Sequence, residues 1–162
     1  MNGDNADQVK IVPIKERPDA IPIAARWRLD QWGHQITGSS LDMFTVLLRD
    51  SLHSSSLPQT WIVLRGNHIA GVASLAESDM HTRPDLSPWL VGVYIDRDDR
   101  GQGIGSALVS HVVAQAWTMG IVRLWLFTPD QEHFYQRLGW QAVERTVYRG
   151  EDVVIMKIEP KS

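Results

Sequence analysis

Apolar residues recur along the chain with two different spacings, which predict two kinds of element. Short apolar runs such as "VKIVPI", "TWIVLRGNHIAGVASLAE" and "WLVGVYI" are typical of buried strands and hairpins. Longer stretches with apolar residues three and four positions apart are typical of amphipathic helices. Together the two patterns predict the order β-α-α-β-β-β-α-β-α-β-β over residues 9–162.

Polar and turn-forming residues predict where these helices begin and end. The first helix is expected in "DAIPIAARWRLDQWG", with Ile23, Trp27 and Leu29 on its apolar side and Gly33 at its end. Asp130 is placed to cap a short helix in "QEHFYQRL".

Length and composition indicate one ordinary globular domain. The chain has 162 residues, of which 43% are hydrophobic and 22% are charged. We expect a flexible tip at residues 1–8 and a single domain over residues 9–162. The net charge of −3 and the lack of a basic stripe argue against nucleic-acid binding. No stretch is apolar enough to span a membrane, and the polar start is no signal peptide, so a cytoplasmic location without membrane partners is expected.

The segment "DRDDRGQGIGSALV", residues 96–109, places three glycines before a predicted helix. Free N–H groups at a helix N-terminus bind anions, most often phosphates, and glycines let a ligand approach the backbone. Arg100 adds positive charge there. Two phosphate-binding motifs are excluded, since the segment has neither the Gly-Lys pair of a P-loop nor the third glycine of a dinucleotide fingerprint.

Two stretches of the chain resemble the GNAT superfamily of acyl-CoA-dependent N-acyltransferases. Residues 100–105, "RGQGIG", match its R/Q-x-x-G-x-G/A motif, and the preceding "VYIDRDDR" is similar to its V-x-P-x-x-R approach. The stretch "FYQRLGW" resembles the second signature, F-Y-x-x-x-G-F/W. The resemblance implies an α/β (α+β) fold, in which helices flank a mixed, mostly antiparallel central sheet.

The resemblance also implies acetyl-CoA as co-substrate. Main-chain groups of one strand would pair with the pantetheine arm, and the glycine loop would hold the pyrophosphate. The residues expected to bind the cofactor are Val93, Ile95, Arg100, Gly101, Gln102, Gly103, Ile104, Gly105 and Ser106. Gly92 either marks a bulge that opens this strand or is a packing glycine, and the sequence leaves both open.

Tyr135, within the second signature, is the candidate general acid. A phenol is protonated at neutral pH and could relieve the thiolate that leaves in acetyl transfer. Alternatively, Phe134, Tyr135 and Leu138 form only the buried face of their helix. Many relatives carry an asparagine near Thr128 that contacts the cofactor, and its absence leaves one pantetheine contact unassigned.

Three residues near the predicted amine entrance are candidates for the general base. Glu77, Asp79 and His81 cluster after a predicted strand, and Glu77 is the candidate base, although each could be a solvated loop residue. No metal is expected, because the histidines lack metal-ligand spacing. Some tryptophans could line an aromatic acceptor pocket instead of the core, namely Trp27, Trp32, Trp61 and Trp89.

The expected function is transfer of an acetyl group from acetyl-CoA to the amine of a small molecule or peptide. The chain contains no cysteine to carry the acetyl group, which favours direct transfer in a ternary complex. The alternative is a non-catalytic acyl-CoA sensor on the same fold. A homodimer is expected from the family resemblance.

Overall fold

Seven strands and four α-helices form the fold in a computed structural model that describes residues 8–161. Most of the predicted tip, residues 1–7, lies outside the described residues, and the division into tip and single domain stays a prediction. The strands are β1 (Val9–Pro13), β2 (Gln59–Arg65), β3 (His68–Ala76), β4 (Trp89–Ile95), β5 (Leu124–Thr128), β6 (Gln141–Tyr148) and β7 (Glu151–Ile158). The helices are α1 (Ile21–Trp32), α2 (Leu41–Asp50), α3 (Ile104–Thr118) and α4 (Glu132–Arg137).

The strands lie in one sheet with the order β1-β2-β3-β4-β5-β7-β6. Every neighbouring pair is antiparallel except β4 and β5, which are parallel. The predicted element order and the mixed, mostly antiparallel sheet are therefore confirmed.

One face of the sheet is covered by α3 and α4. Leu108 and Val112 of α3 pack against strand residues that include Val63 and Leu126, and all four are 2% exposed or less. This apolar contact fixes where α3 begins relative to β4, the strand that precedes it in the chain.

The opposite face is covered in two parts. Helices α1 and α2 bury Ile62 and Val72, whereas the loop between β3 and β4 places Met80 over Trp89 and Ile155. On β4, Tyr94 packs against the first of these apolar clusters, whereas Trp89 and Val91 belong to the second, so the boundary between the two clusters crosses the middle of this strand.

Two local predictions were wrong. Ile23 of α1 is 41% exposed, and the buried side of this helix is formed by Ala24, Ala25 and Arg28 together with its first residue. Asp130 does not cap α4; the hydroxyl of Thr128 instead accepts the N–H groups of Asp130 and Gln131, at 3.4 and 3.0 Å. Gly33 follows the last residue of α1, as predicted.

Strand β6 forms one edge of the sheet and is exposed over most of its length. Val143 and Val147 on this strand are 48% and 65% exposed. The homodimer expected from the sequence stays a prediction. Within residues 8–161, no helix combines the length and apolar character needed to cross a membrane.

Candidate active site

The site begins where β4 and β5 separate. The two strands share one register pair, Trp89 with Trp125, at their N-terminal ends. Beyond this pair they diverge, and residues 91–95 of β4 are all partly exposed. A parallel strand without its partner presents free N–H and C=O groups, which need another partner.

A bulge in β4 lies beside this opening. Val72 of β3 pairs with Tyr94 and Ser74 pairs with Val91, so that two residues of β4, Gly92 and Val93, stand opposite one residue of β3. Gly92 has a φ of +61°, which disfavours any other residue. The bulge suggested by the sequence is therefore present.

Gly92 is also a packing glycine, because the side chain of Arg28 lies against it. A Cβ on Gly92 would come within 2.4 Å of the Arg28 Nε. The guanidinium donates to the Gly92 carbonyl from Nε at 3.3 Å and from Nη2 at 3.0 Å. The sequence left open whether Gly92 forms a bulge or is a packing glycine, and in the structure it does both.

The glycine loop follows β4 and ends at the start of α3. Gly101 and Gly103 have φ values of +76° and +80°, and a Cβ on either would meet no atom within 4 Å. The first main-chain hydrogen bond of α3 is donated by Ala107 to the Gly103 carbonyl. The N–H groups of residues 104–106 precede it, and these are the groups that an α-helix leaves free. Open space, free amides and the positive helix end fit a phosphate group.

Arg100 lies at the entrance of this loop and is exposed. Its Nε donates to the Ile95 carbonyl at 2.9 Å, and its guanidinium carbon lies 5.1 Å from the centre of the Tyr94 ring. Arg100 thus links the end of β4 to the loop and brings positive charge to it.

A buried ion-pair network holds the loop against the β2–β3 hairpin. The carboxylate of Asp99, 2% exposed, accepts from Arg65 Nη1 at 2.7 Å and lies 2.9 Å from Nε2 of His68. Arg65 also donates to the side chain of Gln102. The loop is therefore anchored before any ligand arrives.

The same network contains three groups that could hold a cation. Ligand atoms of His68, Asp96 and Asp99 lie within 4.8 Å of one another. Arg65 already places a guanidinium on Asp99, so the positive charge that faces this carboxylate comes from the chain itself.

Tyr135 lies on α4 and belongs to the core beneath α3. It is 8% exposed, and its ring centre is 5.0 Å from that of Phe134 and 5.9 Å from that of Trp140. Burial, assisted by the charge of Asp130, raises the pKa of the Tyr135 phenol well above its ordinary value. The phenol therefore stays protonated at neutral pH.

The candidate bases occupy different surroundings. Glu77 is exposed and lies beside α2 in a small pocket lined by Met43 and Leu47, among others. Asp79 is partly buried, and burial raises its pKa to about 7, although the charges of Arg149 and Arg28 lower it. A carboxylate with such a pKa is poised to exchange a proton near neutral pH.

His81, the third candidate, contacts the hairpin formed by β6 and β7. Its Nδ1 lies 2.9 Å from the hydroxyl of Tyr148. The cluster predicted from sequence thus separates into one exposed carboxylate, one partly buried carboxylate and one hydrogen-bonded imidazole.

The tryptophans divide between the core and the α1 side of the site. Trp61 and Trp89 are 4% and 0% exposed and belong to the core. Trp27 stacks on Tyr94 with ring centres 5.2 Å apart, and Trp32 meets the same ring edge-on at 6.4 Å. Trp27 and Trp32 are thus partly exposed beside β4, whereas Trp61 and Trp89 are not.

Sequence reasoning missed Arg28 and Asp99 as parts of the site. Arg28 falls in a helix whose charged residues are expected to face solvent, and Asp99 is one of two adjacent aspartates in an acidic loop. Gly92 inside a strand was the available signal for Arg28, since it indicated a close approach by another group.

Comparison with known proteins agrees with this geometry. A family model for an acetyltransferase (GNAT) domain matches residues 56–142, more than half of the chain. The chain belongs to the GNAT acetyltransferase family. The match runs from the start of β2 into β6 and includes the bulge, the glycine loop and Tyr135. Among curated proteins, none matches the chain.

Solved GNAT structures share the fold of this GNAT chain. A GNAT-family acetyltransferase from Streptococcus pneumoniae superimposes with a TM-score of 0.69 at 18% identity, covering 94% of this chain and 99% of that one. Spermidine N-acetyltransferase from Vibrio cholerae, in complex with CoA and spermine, gives 0.71 at 16% identity, covering 94% and 95%. The ribosomal-protein-S18-alanine N-acetyltransferase from Escherichia coli gives 0.66 at 18% identity, covering 94% of each chain.

The anchoring network makes a prediction about stability. Asp99→Ala leaves the partly exposed Arg65 and His68 without their shared acceptor, so we expect the free energy of unfolding to fall by about 1.5 kcal/mol. Urea denaturation measures this loss. Asp85→Ala is the matched control, because it breaks an exposed pair with Arg83 and should change stability little. Equal stabilities of Asp99→Ala and the parent would show that the network does not anchor the loop.

Proposed function

We propose that the protein is an N-acetyltransferase that moves an acetyl group from acetyl-CoA to an amine by direct transfer in a ternary complex. The observation that carries this proposal is the continuity of the opened strand with the amide-lined loop. The end of β4 leads directly into the glycine loop, so one extended ligand can contact both. Membership of the GNAT family supports the use of acetyl-CoA.

The proposed cofactor contacts follow the chain from the bulge to α3. Free main-chain groups of β4 would bind the pantetheine arm, and the loop amides with Arg100 would bind the pyrophosphate. The Ile95 carbonyl is already shared with Arg100, so it can accept one further hydrogen bond. The proposed contact residues are Val93, Ile95, Arg100, Gly101, Gln102, Gly103, Ile104, Gly105 and Ser106.

Acetyl-CoA supplies a thioester whose carbonyl carbon accepts the electron pair of a neutral amine, so that a C–N bond forms, the C–S bond breaks and CoA leaves as a thiolate. In this proposal the Tyr135 hydroxyl gives its proton to the thiolate. The phenol is protonated at neutral pH, as this role requires, although burial raises its pKa and makes it a weaker acid, so its place in the second family signature carries the assignment. A proton lost by the amine goes to a carboxylate, directly or through water.

Asp79 is the carboxylate best suited to accept that proton. It lies within electrostatic range of Arg28, which contacts the bulge, and its pKa of about 7 suits a base near neutral pH. Glu77, the residue favoured by the sequence, is retained as the competing candidate.

The acceptor is proposed as a primary amine of a small molecule or a peptide. GNAT proteins of this fold include a spermidine N-acetyltransferase and a ribosomal-protein-alanine N-acetyltransferase, which supports both classes. The α1 side of the site offers the half-buried rings of Trp27 and Trp32 around Tyr94. A panel of amines and peptides, assayed for release of free CoA, tests the function and identifies the acceptor.

Cofactor binding is tested at the first turn of α3. Gly105→Asp places a negative charge beside the proposed pyrophosphate, and we expect the Kd for CoA measured by calorimetry to rise at least about tenfold. Gly105→Ala is the control for steric effects without charge, since its Cβ would meet only ordinary contacts, the nearest being Phe134 at 3.5 Å. A folded Gly105→Asp variant that binds CoA like the parent would refute the loop assignment.

The role of Tyr135 is tested by Tyr135→Phe, which removes the hydroxyl and keeps the packing ring. Because proton donation matters as the thiolate forms, we expect kcat to fall at least about tenfold with little change in acetyl-CoA affinity or Tm. Steady-state kinetics with a confirmed acceptor measures this. An unchanged kcat, with chemistry limiting turnover, would make Tyr135 a core aromatic. A parent that binds acetyl-CoA but acetylates no amine would favour the sensor alternative.

The base is tested by comparing Asp79→Asn with Glu77→Gln. A base must be deprotonated, so kcat/KM of the parent, divided by the fraction of acceptor amine that is neutral, should rise with pH until about pH 7, where Asp79 loses its proton. Asp79→Asn should abolish this rise and lower kcat/KM at pH 8 at least about tenfold. Glu77→Gln should preserve the profile. The opposite pattern in the two variants would assign the base to Glu77.

A further inference from the structure

Arg28 is the buried charge that the proposed mechanism leaves unexplained. It is 5% exposed, and among the described residues it is the only buried lysine or arginine. No carboxylate within residues 8–161 lies within 4.0 Å of its guanidinium, although the chain forms many ion pairs elsewhere. A charge removed from water without a paired counter-charge is costly, so its position calls for a reason.

A chain of hydroxyl groups satisfies one side of the guanidinium. Nη2 lies 3.0 Å from the Ser74 Oγ, followed by Thr60 Oγ1 at 2.7 Å, Ser51 Oγ at 2.7 Å and the Leu47 carbonyl at 3.0 Å. Arginine only donates and a carbonyl only accepts, so each hydroxyl must donate toward Leu47. The direction of every hydrogen bond in this chain is therefore fixed, and Arg28 is held at its start.

The other side of the guanidinium holds the bulge of β4. Nε and Nη2 both donate to the Gly92 carbonyl, and the missing Cβ of Gly92 leaves the space that the guanidinium fills. In a planar peptide group the C=O and the N–H point in opposite directions. Fixing the Gly92 carbonyl on Arg28 thus directs the Val93 N–H away from α1.

The guanidinium also changes the strength of that N–H as a donor. Charged donors on a carbonyl polarise the whole peptide group, which strengthens the hydrogen bond that its N–H can give. Val93 belongs to the bulge and has no register partner in β3. Its N–H is therefore a polarised donor at the position where β4 has separated from β5.

We propose that Arg28 is a positioning residue for acetyl transfer: it orients and polarises the Gly92–Val93 peptide so that the Val93 N–H stabilises the negative charge developing on the thioester oxygen. Arg28 transfers no proton and forms no bond to substrate. The inference rests on the proposed acetyltransferase function. It adds a residue of α1, 64 positions before the bulge, to the requirements of that reaction.

Kinetics of Arg28→Met, Arg28→Lys and Ser74→Ala test the inference. Removing an oxyanion-stabilising donor typically lowers kcat about 10²–10³-fold; Arg28→Met leaves the Val93 N–H present but no longer oriented or polarised, so we expect a loss of at least about tenfold, with KM for acetyl-CoA within about threefold. Arg28→Lys keeps a charge and one donor site, and it should recover part of the loss. Ser74→Ala removes the other partner of Nη2 but keeps both donors on the Gly92 carbonyl, so kcat should fall less than in Arg28→Met, even where the variant lowers Tm.

Three kinetic outcomes would overturn the inference. They are a folded Arg28→Met with kcat within about threefold of the parent, a rise in KM with kcat unchanged, and equal losses of kcat in Arg28→Met and Ser74→Ala. Should circular dichroism show that Arg28→Met is unfolded, Arg28→Lys decides. A fall in its kcat larger than that of Ser74→Ala supports the inference, and an equal or smaller fall overturns it.

A spectroscopic measurement tests the same inference without turnover. The amide resonance of Val93 in ¹⁵N-labelled protein should shift more with acetyl-CoA than with CoA, because only acetyl-CoA carries the thioester oxygen. This difference should vanish in Arg28→Met, or shrink in Arg28→Lys. A difference of undiminished size in Arg28→Met or Arg28→Lys, or no difference in the parent, would overturn the inference. A parent that acetylates no amine but shows the difference would reject the proposed function alone.

Discussion

The separation of β4 from β5 is the constraint on which the rest of the site depends. Two parallel neighbours in a sheet ordinarily share hydrogen bonds along their length, but here they share one register pair. The main-chain groups freed by this separation are polar and partly buried, so water or a ligand must satisfy them. An amide-rich arm such as pantetheine offers the matching donors and acceptors.

Two buried charged residues hold the opened strand in place, one at its bulge and one at the glycine loop that follows it. Arg28 holds the bulge from the α1 side, and Asp99 holds the glycine loop against the β2–β3 hairpin. Each charge is costly to bury, and each is engaged with main-chain or side-chain partners that fix one local geometry. Binding and catalysis both profit from groups that need no rearrangement when the ligand arrives.

Much of the fold could be predicted from sequence, because its elements are marked by local patterns. The bounds of β4 were predicted as observed, and the glycines lie before α3 as the sequence indicated, while anion binding by this loop stays a prediction. Asp130 shows where local rules fail, since its side chain does not cap α4, and the hydroxyl of Thr128 instead accepts the N–H groups of Asp130 and Gln131 just before this helix.

The rest of the site depends on contacts between distant parts of the chain. Arg28 is buried against Gly92, 64 positions away, and Asp99 differs from Asp98 by its contacts with Arg65 and His68, which lie 34 and 31 positions before it. Glu77 and Asp79 are equivalent in a sequence pattern, whereas the fold exposes one and partly buries the other. Periodicity assigns charged residues to the surface, so it cannot identify the few charged residues that the fold buries.

A crystal structure of the protein with CoA tests most directly the central claim that the opened strand and the glycine loop form one cofactor site. The account predicts pyrophosphate oxygens about 2.7–3.2 Å from the amide nitrogens of the loop, and the pantetheine arm hydrogen-bonded to β4 beyond the bulge. CoA bound elsewhere, or β4 and β5 joined by hydrogen bonds along their length with CoA present, would contradict it.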